Sequence, residues 1–269
     1  VASVDPVTAL PTLFLSHGAP DTILRDTPAR RFLSGLAGLL PRPRAIVVVS
    51  AHWESDPLAV DSGARPRTIH DFSGFGPELE AMTYPAPGDP ALAAAVVAHL
   101  DAAGLPAIAA QRGFDHGVWV PLRLAWPAAD IPVVAVSLPR RDSGAVAYRL
   151  GQALAGIGDD VLVIGSGSAT HNLGRLAIVG APPAWAAAFD DWLCGRAEAG
   201  DHAALVAWRD RAPQARTAHP SDEHFTPLLV AAGAAGAAAR ATVLHRSWDY
   251  GSLAMTALAF ARPLSAGDR

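Results

Sequence analysis

Residues 45–50 read AIVVVS, an unbroken apolar and mostly β-branched run closed by a serine. A strand with one wet face alternates apolar and polar residues, so a run without alternation belongs to a strand covered on both faces. Runs of the same kind stand at 12–16 (TLFLS), 132–138 (PVVAVSL), 160–165 (DVLVIG) and 241–245 (ATVLH). Helical patterns at 27–39, 90–103, 144–157 and 184–199 separate them. Pro and Gly mark the joints, at 41–44 (PRPR), 85–90 (PAPGDP) and 180–183 (GAPP). Buried strands alternating with helices predict an α/β fold, with a central, mostly parallel (mixed) sheet flanked by helices. At 269 residues the chain is long enough for a full core. No repeat, heptad or linker divides it, so a single domain over 1–269 is expected.

In such sheets ligands sit outside the carboxyl ends of the strands. His17 follows the first run, His52 follows the second, and His171 ends the GSGSATH turn after the run at 160–165. Parallel strands would bring these imidazoles to one edge. His116 lies in GFDHGVWVPL, a turn signal before an apolar, helix-like run. His219 and His224 share HPSDEHFTPLL, where Thr226-Pro227 reads as a helix start with Thr226 as N-cap, or Ser221 caps and the helix begins earlier. Either way His224 is expected near a helix N-terminus, beside Asp222 and Glu223. His99 and His202 stand in polar helical contexts and read as ordinary surface or hydrogen-bonded residues; His70 and His245 are left unassigned. Several histidines at element ends point to a metal site, and imidazole suits Zn and Fe alike.

Two absences narrow the chemistry. Cys194 is the single cysteine, which excludes disulfides, Cys-based zinc sites and iron–sulfur clusters. All 21 basic residues are arginine, so neither a Schiff base nor a P-loop lysine is available. The net charge of -4, without basic blocks, gives no footprint for nucleic acid. No segment has membrane-spanning length, and the first ten residues lack the basic and apolar regions of a signal peptide, so a cytoplasmic protein is expected. GSGSAT lacks the third glycine of a dinucleotide fingerprint, and its glycines read as a tight turn that carries His171. Neither G-x-S-x-G nor H-E-x-x-H occurs.

With these residues assembled, the sequence resembles the class III extradiol ring-cleaving dioxygenases, in the DOPA-dioxygenase-like branch. The matching stretches are SHGAP (16–20), SAHWE (50–54), HDFSGFGPEL (70–79) with YPAPG (84–88), GFDHGVWVPL (113–122), GSGSATHNL (165–173), HPSDEHFTPL (219–228) and YGSLAMTAL (250–258), in order over almost the whole chain. The resemblance implies an enzyme with one non-haem divalent metal per chain that opens DOPA-like or other small catechols with O₂. It implies His17, His52 and His224 as metal ligands, with Glu223 the alternative to His224. His171 matches the acid/base histidine, or approaches the metal as a fourth ligand, and His116 matches a second active-site histidine near the substrate. Fe(II) is expected for activity, and Zn(II) is an ion that such a three-histidine site also binds. The expected partners are a small aromatic diol and O₂, without nucleic acid or membrane, and a homo-oligomer is compatible with the sequence. A zinc-dependent hydrolase on the same scaffold and a non-catalytic metal-binding protein are the alternatives.

Overall fold

The structure, a computed structural model, describes residues 10–140, 144–176 and 181–261. The reading of the N-terminal segment thus falls largely outside the described residues, as does Gly180 of the GAPP joint. Ten strands are present among the described residues: β1 (Thr12–Ser16), β2 (Ala45–Ser55), β3 (Leu58–Asp61), β4 (Ala107–Ala110), β5 (Val133–Pro139), β6 (Val161–Gly167), β7 (Arg240–His245), β8 (Trp248–Asp249), β9 (Leu253–Ala254) and β10 (Ala257–Ala261). Eight form one sheet in the order β4-β3-β5-β2-β6-β1-β10-β7, and β8 with β9 make a small ribbon. Its centre, β5-β2-β6-β1, is parallel throughout. β3 joins β5 antiparallel on one flank, and β10 joins β1 antiparallel on the other.

The unbroken apolar runs have a direct cause. Successive residues of a strand point to opposite faces, and both faces are covered. Val47, Val49, Val134, Val136, Val161 and Val163 enter one core, against helices Pro90–Ala102, Ala145–Leu154, Ala184–Ala199 and Thr226–Ala235. Ile46, Val48, Val133, Ala135, Leu162 and Ile164 enter the other, against helices Pro28–Gly35 and His116–Ala125. The run at 241–245 is the exception: β7 is an edge strand with exposed residues, not one buried on both faces. No helix among the described residues is long and apolar enough to cross a membrane.

The Ala/Gly-rich helix Thr226–Ala235 is buried along its whole length. It lies on β6 because Gly165 and Gly167 carry no Cβ. A Cβ at Gly165 would stand inside the van der Waals shell of the Pro227 carbonyl, and one at Gly167 would meet the His224 carbonyl. Both glycines are strand residues, not the tight turn expected for GSGSAT. What they admit is the helix start that follows His224.

Candidate metal centre

The four parallel strands aim their carboxyl ends at one edge, where the expected histidines arrive by different routes. His17 is the first residue after β1, and its backbone N–H donates to the Gly167 carbonyl at 3.0 Å. His52 does not follow a strand, as the sequence implied, but lies inside β2. There β2 advances from Val49 to Glu54 while β5 advances only from Val136 to Leu138, and this irregularity re-aims the ring. His171 comes four residues after β6 and is tied by its N–H to the Ala218 carbonyl at 2.9 Å. His116 opens the helix His116–Ala125. His224 precedes the helix Thr226–Ala235, whose N-cap is Phe225; neither Thr226 nor Ser221 caps it, because residues 222–225 already turn before the helix begins.

The five rings form one cluster. Ring centroids are 4.9 Å apart for His17 and His52, 5.6 Å for His17 and His224, and 4.9 Å for His52 and His224. His116 stands 4.0 Å from His52, and His171 stacks on His224 at 3.5 Å and 7°. Two sets of ligand atoms lie within 4.8 Å of one another: His17, His52 and His116, and then His171, Glu223 and His224.

Hydrogen bonds fix which nitrogens are bare. Ser166 Oγ donates its single proton to the Gly117 carbonyl, so toward His17 Nδ1, at 3.0 Å, it accepts. His224 Nδ1 is 2.9 Å from Glu223 Oε1, which also only accepts. Both rings therefore carry the proton on Nδ1 when neutral. Burial, reinforced by the neighbouring imidazoles, pushes His17 and His224 well below the ordinary histidine value. Burial and then the charge of His116 bring His52 down to about 3. His171 is lowered by burial, against the opposing charge of Glu223. His52 Nε2 lies 3.0 Å from His17 Nε2, with its Nδ1 3.5 Å from Asp71 Oδ2. Either His52 donates across that gap, or its proton faces Asp71 and two lone pairs oppose each other. The second arrangement needs a cation between the rings. His224 Nε2 is free to take one too, being buried without any hydrogen-bond partner. Neutral imidazoles held from behind by a hydroxyl and carboxylates are a donor set that fits a divalent ion.

Glu223 stands behind His224 in this arrangement, and its Oε1 also accepts from Ser221 at 2.8 Å. His219 is fully buried against Phe189, Trp208 and Phe225 and donates from Nε2 to the Ala169 carbonyl at 2.9 Å, bracing the loop that bears His171. His70 contacts the Met82 carbonyl, His245 stacks on Phe32, and His202 pairs with Tyr148; none joins the cluster.

A supporting shell was missed in the sequence. The Asp115 carboxylate is fully buried, accepts from Ser50 Oγ at 2.7 Å and pairs with Arg112, which in turn donates to the His52 carbonyl at 2.7 Å. Asp71 accepts from the N–H of His116 at 2.9 Å and meets its Nδ1 at 3.0 Å. Burial alone would raise the Asp71 carboxyl, but the bond and charge of His116 outweigh it and hold it down to about 2. The signals were short ones: Asp115 precedes His116, Ser50 ends a strand run, and Asp71 follows His70.

Residues 27–261 match the family described as the catalytic LigB subunit of aromatic ring-opening dioxygenase. A protein of Beta vulgaris named 4,5-DOPA dioxygenase extradiol is 42% identical over 252 residues, covering 89% of this chain and 92% of its own. A protein of the same name from Escherichia coli K12 is 36% identical over 255 residues, covering 92% and 93%. Among solved structures, that of an uncharacterized protein from Escherichia coli K12, JW3007, superposes with a TM-score of 0.78 at 33% identity, covering 93% of this chain and 99% of the other.

Proposed function

The chain belongs to the LigB family of aromatic ring-opening dioxygenases, and from that premise we propose that it opens small catechols with O₂, DOPA-like ones among them, at one non-haem metal ion held by His17, His52 and His224. The observation that carries this reading is the clustering of the three rings, 4.9 to 5.6 Å apart between centroids, with His224 Nε2 buried and partnerless and the Nε2 atoms of His17 and His52 facing each other at 3.0 Å. Fe(II) is the ion proposed for activity, with Zn(II) able to occupy the same nitrogens. When bound, iron would supply a redox-active centre through which electrons can pass from catechol to O₂, which zinc, having no redox step, would not.

The other roles fall to this chain's own groups. A catechol must lose a proton on binding, and a neutral imidazole is the group to take it. We assign that step to His171, whose ring lies against His224 and whose burial favours its neutral form. The imidazolium so formed is then the proton donor at hand when the O–O bond breaks, and both oxygen atoms stay in the ring-opened product. His116 faces the same space from the opposite side, 5.3 Å from His17 between ring centroids. Phe72, 5.8 Å from His116, gives a flat apolar face suited to an aromatic ring. The reading takes residues 1–269 as one catalytic unit, since β1 and β10, from opposite ends of the chain, pair beside the site. A cytoplasmic setting accords with the single, free and buried Cys194.

The test is anaerobic reconstitution with Fe(II), followed by a catechol panel in an oxygen electrode. Oxygen uptake with a ring-opened, absorbing product is expected for the iron form and not for the zinc form. Ring opening by a rigorously iron-free zinc form overturns the metal assignment. Hydrolysis by the zinc form without oxygen uptake favours a zinc hydrolase, and inertness of both forms favours a metal-binding protein without turnover.

A further inference from the structure

One carboxylate stands behind two of the site's imidazoles. Asp71 lies in a loop, yet the loop is fixed. Ile69 N–H donates to the Phe114 carbonyl at 2.7 Å, Phe114 N–H to the Arg67 carbonyl at 2.8 Å, and Trp119 Nε1 to the Ile69 carbonyl at 3.1 Å. These bonds bring Asp71 to the start of the helix His116–Ala125. Its Oδ1 accepts the backbone N–H of His116 at 2.9 Å, and its Oδ2 lies 3.0 Å from the Nδ1 of the same residue. That second oxygen is also 3.5 Å from His52 Nδ1. The sequence neighbour Asp115 does not do this work, because its two oxygens face Ser50 and Arg112.

An ionised carboxylate has no proton to give. His116 held by it must carry a proton on Nδ1, so the ring presents its Nε2 edge to the site. We propose that Asp71 is a positioning residue for ring opening: it fixes the Nδ1–H of His116, which turns that ring's Nε2 into the site, and its charge, 3.5 Å from His52 Nδ1, favours the same tautomer of His52 when Nε2 is given to a metal. The inference rests on the reading of His52 as a ligand and His116 as a substrate-facing group. It predicts more than a helix cap would. A cap satisfies one backbone N–H and has no consequence for ring protons.

Asp71→Asn separates the two. The amide oxygen can keep the His116 N–H, which turns the amide NH₂ toward Nδ1 and makes it a donor there. His116 must then move its proton to Nε2. Long-range ¹H–¹⁵N correlation on the full-length, metal-free protein labelled with ¹⁵N-histidine reads this directly. His116 should be Nδ1–H in the wild type and Nε2–H in Asp71→Asn. Zinc affinity, measured by chelator competition, should fall by about 10-fold or more, the usual effect of losing such a partner. Catechol-dependent oxygen uptake by the Fe(II) form should fall by at least ~10²-fold, the lower range for a disabled acid/base group. Asp71→Glu retains an acceptor and should retain the Nδ1–H tautomer and most of the zinc affinity. Unchanged tautomers in Asp71→Asn overturn the proposal. So do unchanged zinc affinity and turnover with only a lower melting temperature, which reduce Asp71 to a cap. If the wild type itself binds no zinc and opens no catechol, the reading of the site falls and the proposal with it; that failure is distinct, since it appears in the unmutated protein.

Discussion

At the scale of single residues, the site separates groups that hold a metal from groups that move protons, and variants should separate them too. His224→Ala removes a buried nitrogen that has no other partner, and metal content should fall with activity. Glu223→Gln still offers an oxygen to His224 Nδ1 but loses the charge. The expected effect is a weaker one, roughly 10–100-fold in metal affinity. His171→Gln should keep the metal and lose turnover by ~10²–10⁴-fold. Iron content and oxygen uptake measured on the same preparations decide among these. Loss of iron in His171→Gln would move that residue into the ligand set, and undiminished iron in His224→Ala would remove His224 from it. These residues could be picked from the sequence because chemistry concentrates in few residue types. Their partners could not: Asp71 and Asp115 are among many acidic residues, and it takes the bonds of Arg67 and Ile69 with Phe114 and Trp119, distant in sequence, to bring Asp71 to His116.

At the scale of elements, two glycines decide whether the site closes. Gly165→Ala or Gly167→Ala puts a methyl group against the backbone of Pro227 or His224. Backbone cannot give way as a flexible side chain does, so overpacking of about 1–3 kcal/mol is expected. The strain falls on the segment that bears His224, and metal affinity should drop with stability. Gly151→Ala is the control. Its methyl would press on the Val230 carbonyl in the same helix, well along from His224. It should lower the melting temperature similarly while zinc affinity per folded molecule holds. Equal zinc affinity in all three variants would show that the contact of β6 with the helix start does not set the site. The elements themselves were legible to different degrees. β1 and the helix Ala184–Ala199 match the sequence reading residue for residue, β1 as an unbroken apolar run and the helix bounded by Pro183 and Gly200. β3, β4 and β10 left no separate signal, being four or five residues long, and β4 has an exposed centre. The lengthened β2 was missed for another reason. Pattern marks where a buried run ends, but Ser50 to Ser55 continue as strand: Ser50 pairs with β6, Arg112 holds the His52 carbonyl, and Glu54 and Ser55 pair again with β5.

At the scale of the whole molecule, burying this much imidazole has a consequence for pH. His17, His219 and His224 are almost wholly covered, and burial is the leading cause that lowers each; His219 falls to about 3. Once unfolded, each takes up a proton near the ordinary value of 6.5, while in the folded protein it does not. Stability is therefore complete above that value and is lost as the pH falls below it, because protons bind the unfolded chain more tightly. Each unit of pH below the unfolded value costs about 1.4 kcal/mol per such histidine. Three such histidines act in the same direction, against a whole-domain stability of only about 5–15 kcal/mol. The metal-free protein should accordingly lose most of its urea midpoint between about pH 7 and pH 5. Bound metal acts in the same direction, since ligands must be deprotonated to hold it, so the holoprotein should be more stable near neutrality and release its metal as the pH falls. Replacing His219, which faces no ligand position, with a residue of similar shape that cannot charge, such as Phe, should flatten the slope in the metal-free protein by about one histidine's share. A midpoint that stays level from pH 7 to pH 5 in the unmutated apoprotein would mean that these rings are solvated or already charged when folded, and the assignment of bare, neutral nitrogens to the site would fail with it.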